Sequence, residues 1–188
     1  MTLELLRAAD RPRREWKNGG GTTSQVAGAP DGAGLEDFHW RLSIADVRTP
    51  GPFSAFDGVD RVIVLLDGAA MDLTVDGTEH RLLPHRPFAF AGEADTGCVL
   101  PAGPTRDLNV MTRRGRYRAA VDLLTVTRVA TALPGADPLL VVVLSGKVEV
   151  TAADSAPARL DRLDAASSAE TLTVTGDGVL AVVRLSPG

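Results

Sequence analysis

The sequence is poor in the residues that cross-link chains or bind metals. Its 188 residues include one cysteine, Cys98, so no disulfide can form within the chain, which is typical of a reducing compartment. We interpret Cys98 as a small apolar side chain, because no local pattern would activate its thiol. The three histidines form no His-x-His pair. Because transition-metal sites usually draw on several such ligands, we expect no metal and no cofactor.

The sequence also lacks a strong excess of charge and any long apolar run. The formal net charge is −4, which disfavours nucleic acid as a partner, because a phosphate backbone requires a dense basic face. No apolar stretch approaches the roughly 20 residues that cross a bilayer. The first residues, Met-Thr-Leu-Glu-Leu-Leu-Arg, do not resemble a signal peptide. We therefore expect a cytoplasmic protein with no membrane partner.

Glycine and proline are frequent and scattered, which predicts many short strands joined by turns. The sequence has 19 glycines and 12 prolines, and 44% of it is hydrophobic, enough for a packed core. Short strands with no helices between them favour barrels or sandwiches. The predicted strands cover residues 39–45, 61–66, 71–75, 87–90, 108–111, 139–144, 147–151, 170–175 and 179–185.

Turn signals and one repeat refine this prediction. Asp76-Gly77 predicts a hairpin, Ser145-Gly146 predicts the end of a strand, and the polar segment 152–169 predicts a loop with a short strand. Residues 61–68 and 139–146 are both apolar strands that end in a turn with glycine. This similarity favours a duplicated barrel hairpin, although two apolar strands can also resemble each other by chance.

The segment from Trp16 to Gly21 is the most unusual in the chain. Asn18 is followed by Gly19, Gly20 and Gly21, and glycine loses the most backbone entropy on folding. Successive N–H groups in such a run can form a concave anion site, and the flanking aromatic and amide groups favour the wall of a pocket. A flexible turn is the alternative. No Gly-Lys-Ser/Thr follows, so the segment is not a phosphate-binding P-loop.

Polar residues alternate along two of the predicted strands. Arg41 and Ser43 share one strand face, opposite an apolar face that begins at Trp40. The second strand has Asp107, Asn109, Met111 and Arg113 on one face. Each polar face lies either in solvent or along a polar cavity, where a guanidinium would pair with a carboxylate.

The loop that precedes the strand at Arg61 is rich in aromatic residues. Phe53, Ser54 and Phe56 lie in this loop, and Asp60 stands directly before Arg61. The two phenylalanines could cover a ligand or fill the core beneath the loop.

Taken together, these segments resemble the HutD family, also called the HutD/Ves family. The motifs that carry the resemblance run in order from about residue 14 to residue 118, and the C-terminal third has no comparable motif. They are Trp16-x-Asn18-Gly19-Gly20-Gly21-x-Thr23, Trp40-Arg41-x-Ser43-x-Ala45, Gly51-x-Phe53-Ser54-x-Phe56-x-Gly58-x-Asp60-Arg61, Gly68, Phe90-x-Gly92-Glu93 and Asp107-x-Asn109-x-Met111-x-Arg113.

The resemblance implies an all-β fold of two tandem cupin-like β-barrels in one chain, a bicupin. Residues 1–120 would form the first barrel, with the glycine-rich segment and the ligand pocket. Residues 121–188 would form a second, smaller barrel that shares strands with the N-terminal region. Family members occur with histidine-utilisation genes and look like ligand-sensing or regulatory proteins. A formylated or formimino derivative of glutamate has been considered as their ligand, and no established enzymatic activity comes with the family.

One segment is similar to the metal-binding pattern of ordinary cupins. In Pro101-x-Gly103-x-x-Arg106, an arginine stands where a histidine would bind the metal. Because arginine is always cationic and cannot ligate a metal, the substitution favours a metal-free site and an anionic ligand.

Our leading hypothesis is a metal-free protein that binds a small anionic metabolite in its first barrel. A metal-independent isomerase or hydrolase with Asp60 or Asp107 as general base is the second hypothesis, and a structural or protein-interaction module is the third. We assign no catalytic residue, and a homodimer is a further expectation. The predicted ligand-binding residues are Trp16, Asn18, Gly19, Gly20, Arg41, Ser43, Phe53, Ser54, Asp60, Arg61, Asp107, Asn109, Met111 and Arg113.

Overall fold

The computed structural model describes residues 3–153 and 155–188, and these residues form an all-β fold. They contain 17 strands and one 3-10 helix, Ala8–Asp10. The strands are β1 (Glu4–Leu6), β2 (Arg13–Glu15), β3 (Gly21–Ala29), β4 (Trp40–Val47), β5 (Gly51–Pro52), β6 (Val59–Asp67), β7 (Met71–Val75), β8 (Thr78–Leu82), β9 (Pro87–Ala91), β10 (Thr96–Val99), β11 (Thr105–Arg113), β12 (Tyr117–Val126), β13 (Thr131–Leu133), β14 (Leu139–Ala152), β15 (Ala158–Leu160), β16 (Ala165–Ser168) and β17 (Leu172–Pro187).

The chain divides into two units, each with its own core. The N-terminal unit comprises residues 12–118 with Gly188, and the C-terminal unit comprises residues 3–11 with 119–187. No helix in either unit, as far as the chain is described, is long and apolar enough to span a bilayer.

The N-terminal unit is built from two antiparallel sheets. The larger has the order β2-β3-β4-β11-β6-β9, and the smaller has the order β5-β10-β7-β8. Side chains from both sheets meet in one buried apolar cluster. Its buried members are Ala45, Val47, Ile63 and Leu65 from the larger sheet, with Met71, Leu73, Leu82 and Cys98 from the smaller.

The alternation along β4 decides which of its faces points to this core. Ala45 and Val47 belong to the core cluster, so Arg41 and Ser43, at the same parity, face the same side. The apolar set that begins at Trp40 is also buried, on the opposite face. The polar face of this strand therefore points into the N-terminal unit and not into solvent.

The C-terminal unit contains a third antiparallel sheet, with the order β1-β16-β14-β17-β12. β13 pairs with β17, and β15 pairs with β14. The long β14–β17 pair forms its centre. Its core is rich in valine and leucine from these two strands, including Val141, Val150, Val174 and Leu180.

The pairings among the described residues leave each sheet with two open edges. The all-β character of the fold is confirmed. However, the predicted barrels are not closed by continuous strand pairing, because the three sheets remain separate along their hydrogen-bonded edges.

Most predicted strands lie within observed ones, and the hairpin at Asp76-Gly77 is confirmed. Both residues have positive φ values, 47° and 79°, as a type I′ turn between β7 and β8 requires. The predicted strand end at Ser145-Gly146 is wrong. β14 continues through a bulge there, because Gly146 adopts a φ of 75° close to the backbone of Asp177. Segment 152–169 contains two short strands, β15 and β16, and its Asp154 lies outside the described residues.

Candidate functional site

The register of three neighbouring strands gathers the polar residues on one sheet face. Met111 on β11 lies opposite Arg41 on β4 and Arg61 on β6. Two residues earlier, Asn109 lies opposite Ser43 on β4. Because directly opposed residues share a face, five polar side chains point to the same side. We call Arg41, Ser43, Arg61, Asp107 and Asn109 the inner polar cluster.

Arg61 is a buried cation enclosed by aromatic rings. It is 5% exposed, and its Cζ lies 5.4 Å from the ring centroid of Phe53, 5.5 Å from that of Phe56 and 4.9 Å from that of Phe90. Its Nη1 donates to the backbone carbonyl of Ser54 at 3.3 Å. None of the ion pairs found within residues 3–153 and 155–188 involves Arg61, and its buried Nε donates to no acceptor there. Burial lowers the pKa of Arg61 to about 10, an effect that the charge of nearby Asp107 opposes.

Asp107 is a buried carboxyl group in the same cluster. It is 2% exposed, and its Oδ2 has no hydrogen-bond partner among the described residues. Burial raises the pKa of Asp107 to about 7; Arg61 opposes this rise and the charge of Asp46 adds to it. Near neutral pH the group can therefore exist in either protonation state, as is common at functional sites.

Arg41 lies at the less buried side of the cluster. Its Nη1 donates to the Ser43 hydroxyl at 3.1 Å and its Nε donates to Gln25 Oε1 at 3.1 Å. Burial lowers the pKa of Arg41, and the positive charge of Arg14 lowers it further. The cluster thus holds two cations that are separated by the strand carrying Met111.

Unsatisfied polar atoms concentrate on this face. Five buried side-chain polar atoms of the described residues lack a partner, and four of them belong to Arg61, Thr105, Asp107 and Asn109. Three of these residues alternate along β11, so they share its inner face. Folded proteins satisfy the large majority of buried polar groups. A row of exceptions therefore indicates that the face is completed by a bound molecule or by water.

The glycine-rich segment forms the turn between β2 and β3. The Gly19 N–H donates to the Trp16 carbonyl at 2.9 Å, and the Gly20 N–H donates to Asn18 Oδ1 at 3.0 Å. A side chain at Gly21 would contact the backbone of Asp46 and the Trp16 ring. Two of the N–H groups predicted to bind an anion are therefore already used within the turn. Trp16 itself packs against the core cluster.

Two other predicted site residues have partners elsewhere in the N-terminal unit. Asp60 is exposed and accepts a hydrogen bond from Arg114 Nη1 at 2.8 Å. Arg113 donates to the backbone carbonyls of Phe38 at 3.1 Å and Glu36 at 2.7 Å. Both side chains have these partners without any ligand, whereas Phe53, Ser54 and Met111 lie beside the inner polar cluster.

Arg106, the arginine of the cupin-like segment, pairs with carboxylates outside the inner polar cluster. Its Nε donates to Asp46 at 2.6 Å and its Nη1 donates to Asp67 at 3.1 Å. It precedes Asp107 on β11 and so faces the opposite side of the sheet. Its charge is compensated there by the two carboxylates.

Several residues around the site were not predicted from the sequence. Phe90 lies directly opposite Arg61 in the β6–β9 register, and its place in the Phe90-x-Gly92 motif was the available signal. Gln25 lies on β3, a strand that was not predicted. Cys98, by contrast, lies buried in the core cluster as its interpretation as a small apolar side chain predicted, and burial, with a contribution from Asp107, raises the pKa of its thiol. No sequence pattern singled out Thr105.

A separate groove of about 450 Å³ lies in the C-terminal unit. It carries charges of both signs, and Lys147 pairs with Asp161 across 3.4 Å. None of its lining residues, as far as the chain is described, has an unsatisfied buried polar atom. We therefore place the candidate site at the inner polar cluster. The groove is lined by Arg128, Lys147, Val148, Glu149, Arg159, Leu160, Asp161, Thr175 and Gly176.

Comparison with known sequences finds relatives over most of the chain. The HutD family model matches residues 8–182. An uncharacterised 21.2 kDa protein in the hutC 3′ region of Pseudomonas putida is 43% identical over 163 residues, which is 86% of this chain and 84% of that protein. Protein Ves from Citrobacter koseri is 41% identical over 121 residues, which is 63% of this chain and 62% of Ves.

Comparison with solved structures supports the same relationship. HutD from Pseudomonas fluorescens SBW25 has a TM-score of 0.86 and 35% identity, and the match covers 100% of both chains. Protein Ylba from Escherichia coli has a TM-score of 0.78 at 10% identity and covers 98% of this chain and 90% of its own. At that identity the likeness concerns the fold alone.

Proposed function

Because the chain belongs to the HutD family, we propose that it binds a small anionic metabolite of the formylglutamate type at the inner polar cluster, without a metal ion, and has a regulatory role in histidine utilisation. One observation carries the proposal. Arg61 is 5% exposed, its Nε has no acceptor, and it forms no ion pair with a described residue, although the charge of Asp107 nearby partly compensates its own.

The cost of burying such a group is the physical reason for proposing an anion. A buried charge is costly unless it is paired and hydrogen-bonded. The three phenylalanine rings around Arg61 compensate part of this cost by cation–π attraction. A ligand carboxylate would supply the missing acceptor for the Arg61 guanidinium through a charge-assisted hydrogen bond. The rings would cover the aliphatic part of the ligand.

The second cation fits a ligand with two acidic groups. Arg41 and Arg61 lie on either side of Met111 on adjacent strands, so their backbones are about 10 Å apart at about 4.8 Å per strand. Two arginine side chains that converge from this separation can each reach one carboxylate of a small dicarboxylate. Ser43 holds Arg41 in place by its hydrogen bond at 3.1 Å.

The proposed regulatory role rests on the relatives. One lies in the hutC 3′ region of P. putida, and another is the HutD protein of P. fluorescens. We also infer that the two units correspond to the two barrels of a bicupin and that the protein acts in the cytoplasm. A purely structural bicupin would have no need of an unpaired buried arginine.

Calorimetry with defined ligands tests the proposal. The panel is N-formyl-L-glutamate, N-formimino-L-glutamate, urocanate and, as the simplest carboxylate, formate. We expect binding of at least one of the first three, weakened about 10-fold or more by Arg61→Met, because a hydrogen bond to a charged group contributes about 1.5–3 kcal/mol.

The matched control is Arg81→Met, which removes an exposed arginine paired with Asp72 at 2.8 Å. This variant should bind like the wild type. Thermal melting of Arg61→Met should show a folded protein, since replacing a buried charge by an apolar residue is often tolerated. Absence of heat with every ligand at high protein concentration would contradict the proposal, as would unchanged affinity in Arg61→Met.

A second candidate function is favoured by the state of Asp107. Burial raises its pKa to about 7, which suits a general base at neutral pH. In this case the wild type would consume the bound metabolite, and Asp107→Asn would not. Recovery of the unchanged ligand after prolonged incubation with the wild type would leave binding as the function.

A further inference from the structure

A third arginine lies on the same sheet face as the inner polar cluster, at the edge of the larger sheet. Building on the proposed function, we infer that Arg14 on β2 is a further recognition residue of this site. Its exposed guanidinium attracts an anionic ligand to an entrance beside β2 and β3. It strengthens binding through its charge, without touching the bound molecule.

The strand register places Arg14 on this face. Arg14 lies opposite Thr23 on β3, and Thr23 lies opposite Ala45 on β4. Ala45 in turn lies opposite Asp107 on β11. Because directly opposed residues share a face, these four side chains point to the inner side of the sheet. The position of Trp16, two residues after Arg14, agrees with this direction: its indole donates to the Thr23 hydroxyl at 2.8 Å and packs against the core cluster.

Arg14 differs from its neighbours on β2 because no counterion compensates its charge. Arg13 pairs with Asp46 at 3.6 Å, and Glu15 pairs with Arg48 at 3.1 Å. Arg13 and Glu15 lie on the opposite face of the strand. The Arg14 side chain has neither an ion pair nor a hydrogen bond within the part of the chain that the structure describes. Exposed arginines are common on protein surfaces, so the meaning of Arg14 depends on the charges that share its face.

Positive charge is in excess along this face. It carries Arg14, Arg41 and Arg61. Among the described residues of β2, β3, β4, β11 and β6, Asp107 is the one carboxyl group that shares it. Arg61 is buried, Arg41 is half-buried and Arg14 is exposed, so the arginines lead from solvent to the cluster. The charge of Arg14 reaches Arg41, because it lowers the pKa of Arg41 beyond the effect of burial. A cleft with one sign of charge raises the local concentration of an oppositely charged ligand.

Calorimetry with N-formyl-L-glutamate at two salt concentrations tests the inference. At about 10 mM salt we expect Arg14→Gln to weaken binding about 3- to 10-fold, because one of the attracting charges is lost. At about 1 M salt the loss should be less than about twofold, because the Debye length falls from about 30 Å to about 3 Å. The loss in Arg61→Met should persist at the higher salt concentration, since buried pairs are screened much less.

Two matched variants separate the position of the charge from the shape of the side chain. Arg13→Gln removes the same charge from the adjacent residue on the opposite face and should bind like the wild type at both salt concentrations. Arg14→Lys keeps the charge without the planar fork of donors, so its affinity should stay within about twofold of the wild type. Arg14→Gln should keep the wild-type melting temperature, because the side chain is exposed and unpaired among the described residues.

The outcomes distinguish this inference from the proposed function. Wild-type affinity in Arg14→Gln at low salt, together with a loss in Arg61→Met, would overturn the role of Arg14 and leave the anion site standing. An equal loss in Arg13→Gln would also overturn it, because net charge and not position would then set the affinity. A loss in Arg14→Gln that persists at high salt would rule out attraction at a distance. Failure of N-formyl-L-glutamate to bind the wild type would overturn both this inference and the formylglutamate-type ligand of the proposed function.

Discussion

Arg61 and Asp107 illustrate how a residue acquires its chemistry from its surroundings. Both are charged residue types at positions below 10% exposure, and each retains an unpaired polar atom. Their charges partly compensate each other, since Asp107 opposes the fall of the Arg61 pKa and Arg61 opposes the rise of the Asp107 pKa. The part of each charge that remains uncompensated is available to interact with a ligand.

The raised pKa of Asp107 predicts a pH dependence of stability. The folded pKa of about 7 exceeds the usual value of 3.8, so the folded state binds more protons than the unfolded state between these values. The stabilisation from the protonated carboxyl is complete below about pH 4 and is lost as the pH rises through 7. We expect the wild-type melting temperature to fall more between pH 5 and pH 8 than that of Asp107→Asn.

Asp72→Asn serves as the control for this measurement, because Arg81 lowers the pKa of Asp72 and its titration therefore lies at lower pH. Its melting temperature should follow the wild type between pH 5 and pH 8. Melting temperatures of the wild type and Asp107→Asn that change in parallel over this range would mean that the Asp107 carboxyl titrates near its usual pKa. That result would contradict the effect of burial on this pKa.

At the residue scale the sequence could predict faces but not partners. Alternation identified Arg41, Ser43, Asp107 and Asn109 as residues of two polar strand faces, because the period of a strand is fixed at two. It could not show that Asp60 pairs with Arg114, or that Arg113 binds the carbonyls of residues 36 and 38. Those partners are brought together by the tertiary fold alone.

At the scale of elements, β11 positions most of the site. It lies between β4 and β6 in the larger sheet of the N-terminal unit, and three of its inward residues carry unpaired polar atoms. The apolar pattern predicted residues 108–111 of this strand and the alternation of its polar face reached from Asp107 to Arg113, whereas the observed strand extends over Thr105–Arg113. Polar residues at both ends of the strand hid its full length from a prediction based on apolar residues. These same ends contain residues that form the site.

The turn between β2 and β3 requires glycine because another backbone comes close to it. A Cβ at Gly21 would meet the Asp46 carbonyl and would lie 3.1 Å from the Trp16 ring. We expect Gly21→Ala to reduce the free energy of unfolding in urea by about 1–3 kcal/mol, as overpacking commonly does.

Gly34→Ala is the matched control, since no atom lies within 4 Å of a Cβ at Gly34. Its stability should stay within about 1 kcal/mol of the wild type. Equal stability of Gly21→Ala and Gly34→Ala would show that the strand carrying Asp46 can move away, and that the glycine run is not needed for packing.

At the scale of the whole molecule, scattered glycine and proline were enough to predict an all-β chain, and the motifs were enough to predict its family. The sheet edges could not be predicted, because closure of a sheet depends on strand order and not on strand composition. The lengths of β14 and β17 could not be predicted either, and each was predicted as two strands. Glycines often end a strand, but here they lie in bulges or in close approaches between paired backbones.

The central claim is that an acidic ligand binds Arg61 inside the N-terminal unit, and a crystal structure of the protein with N-formyl-L-glutamate tests it most directly. The account predicts a ligand carboxylate oxygen within about 3.2 Å of the Arg61 guanidinium. Ligand bound instead in the groove beside Arg128, Lys147 and Arg159, with the inner polar cluster filled only by water, would contradict it.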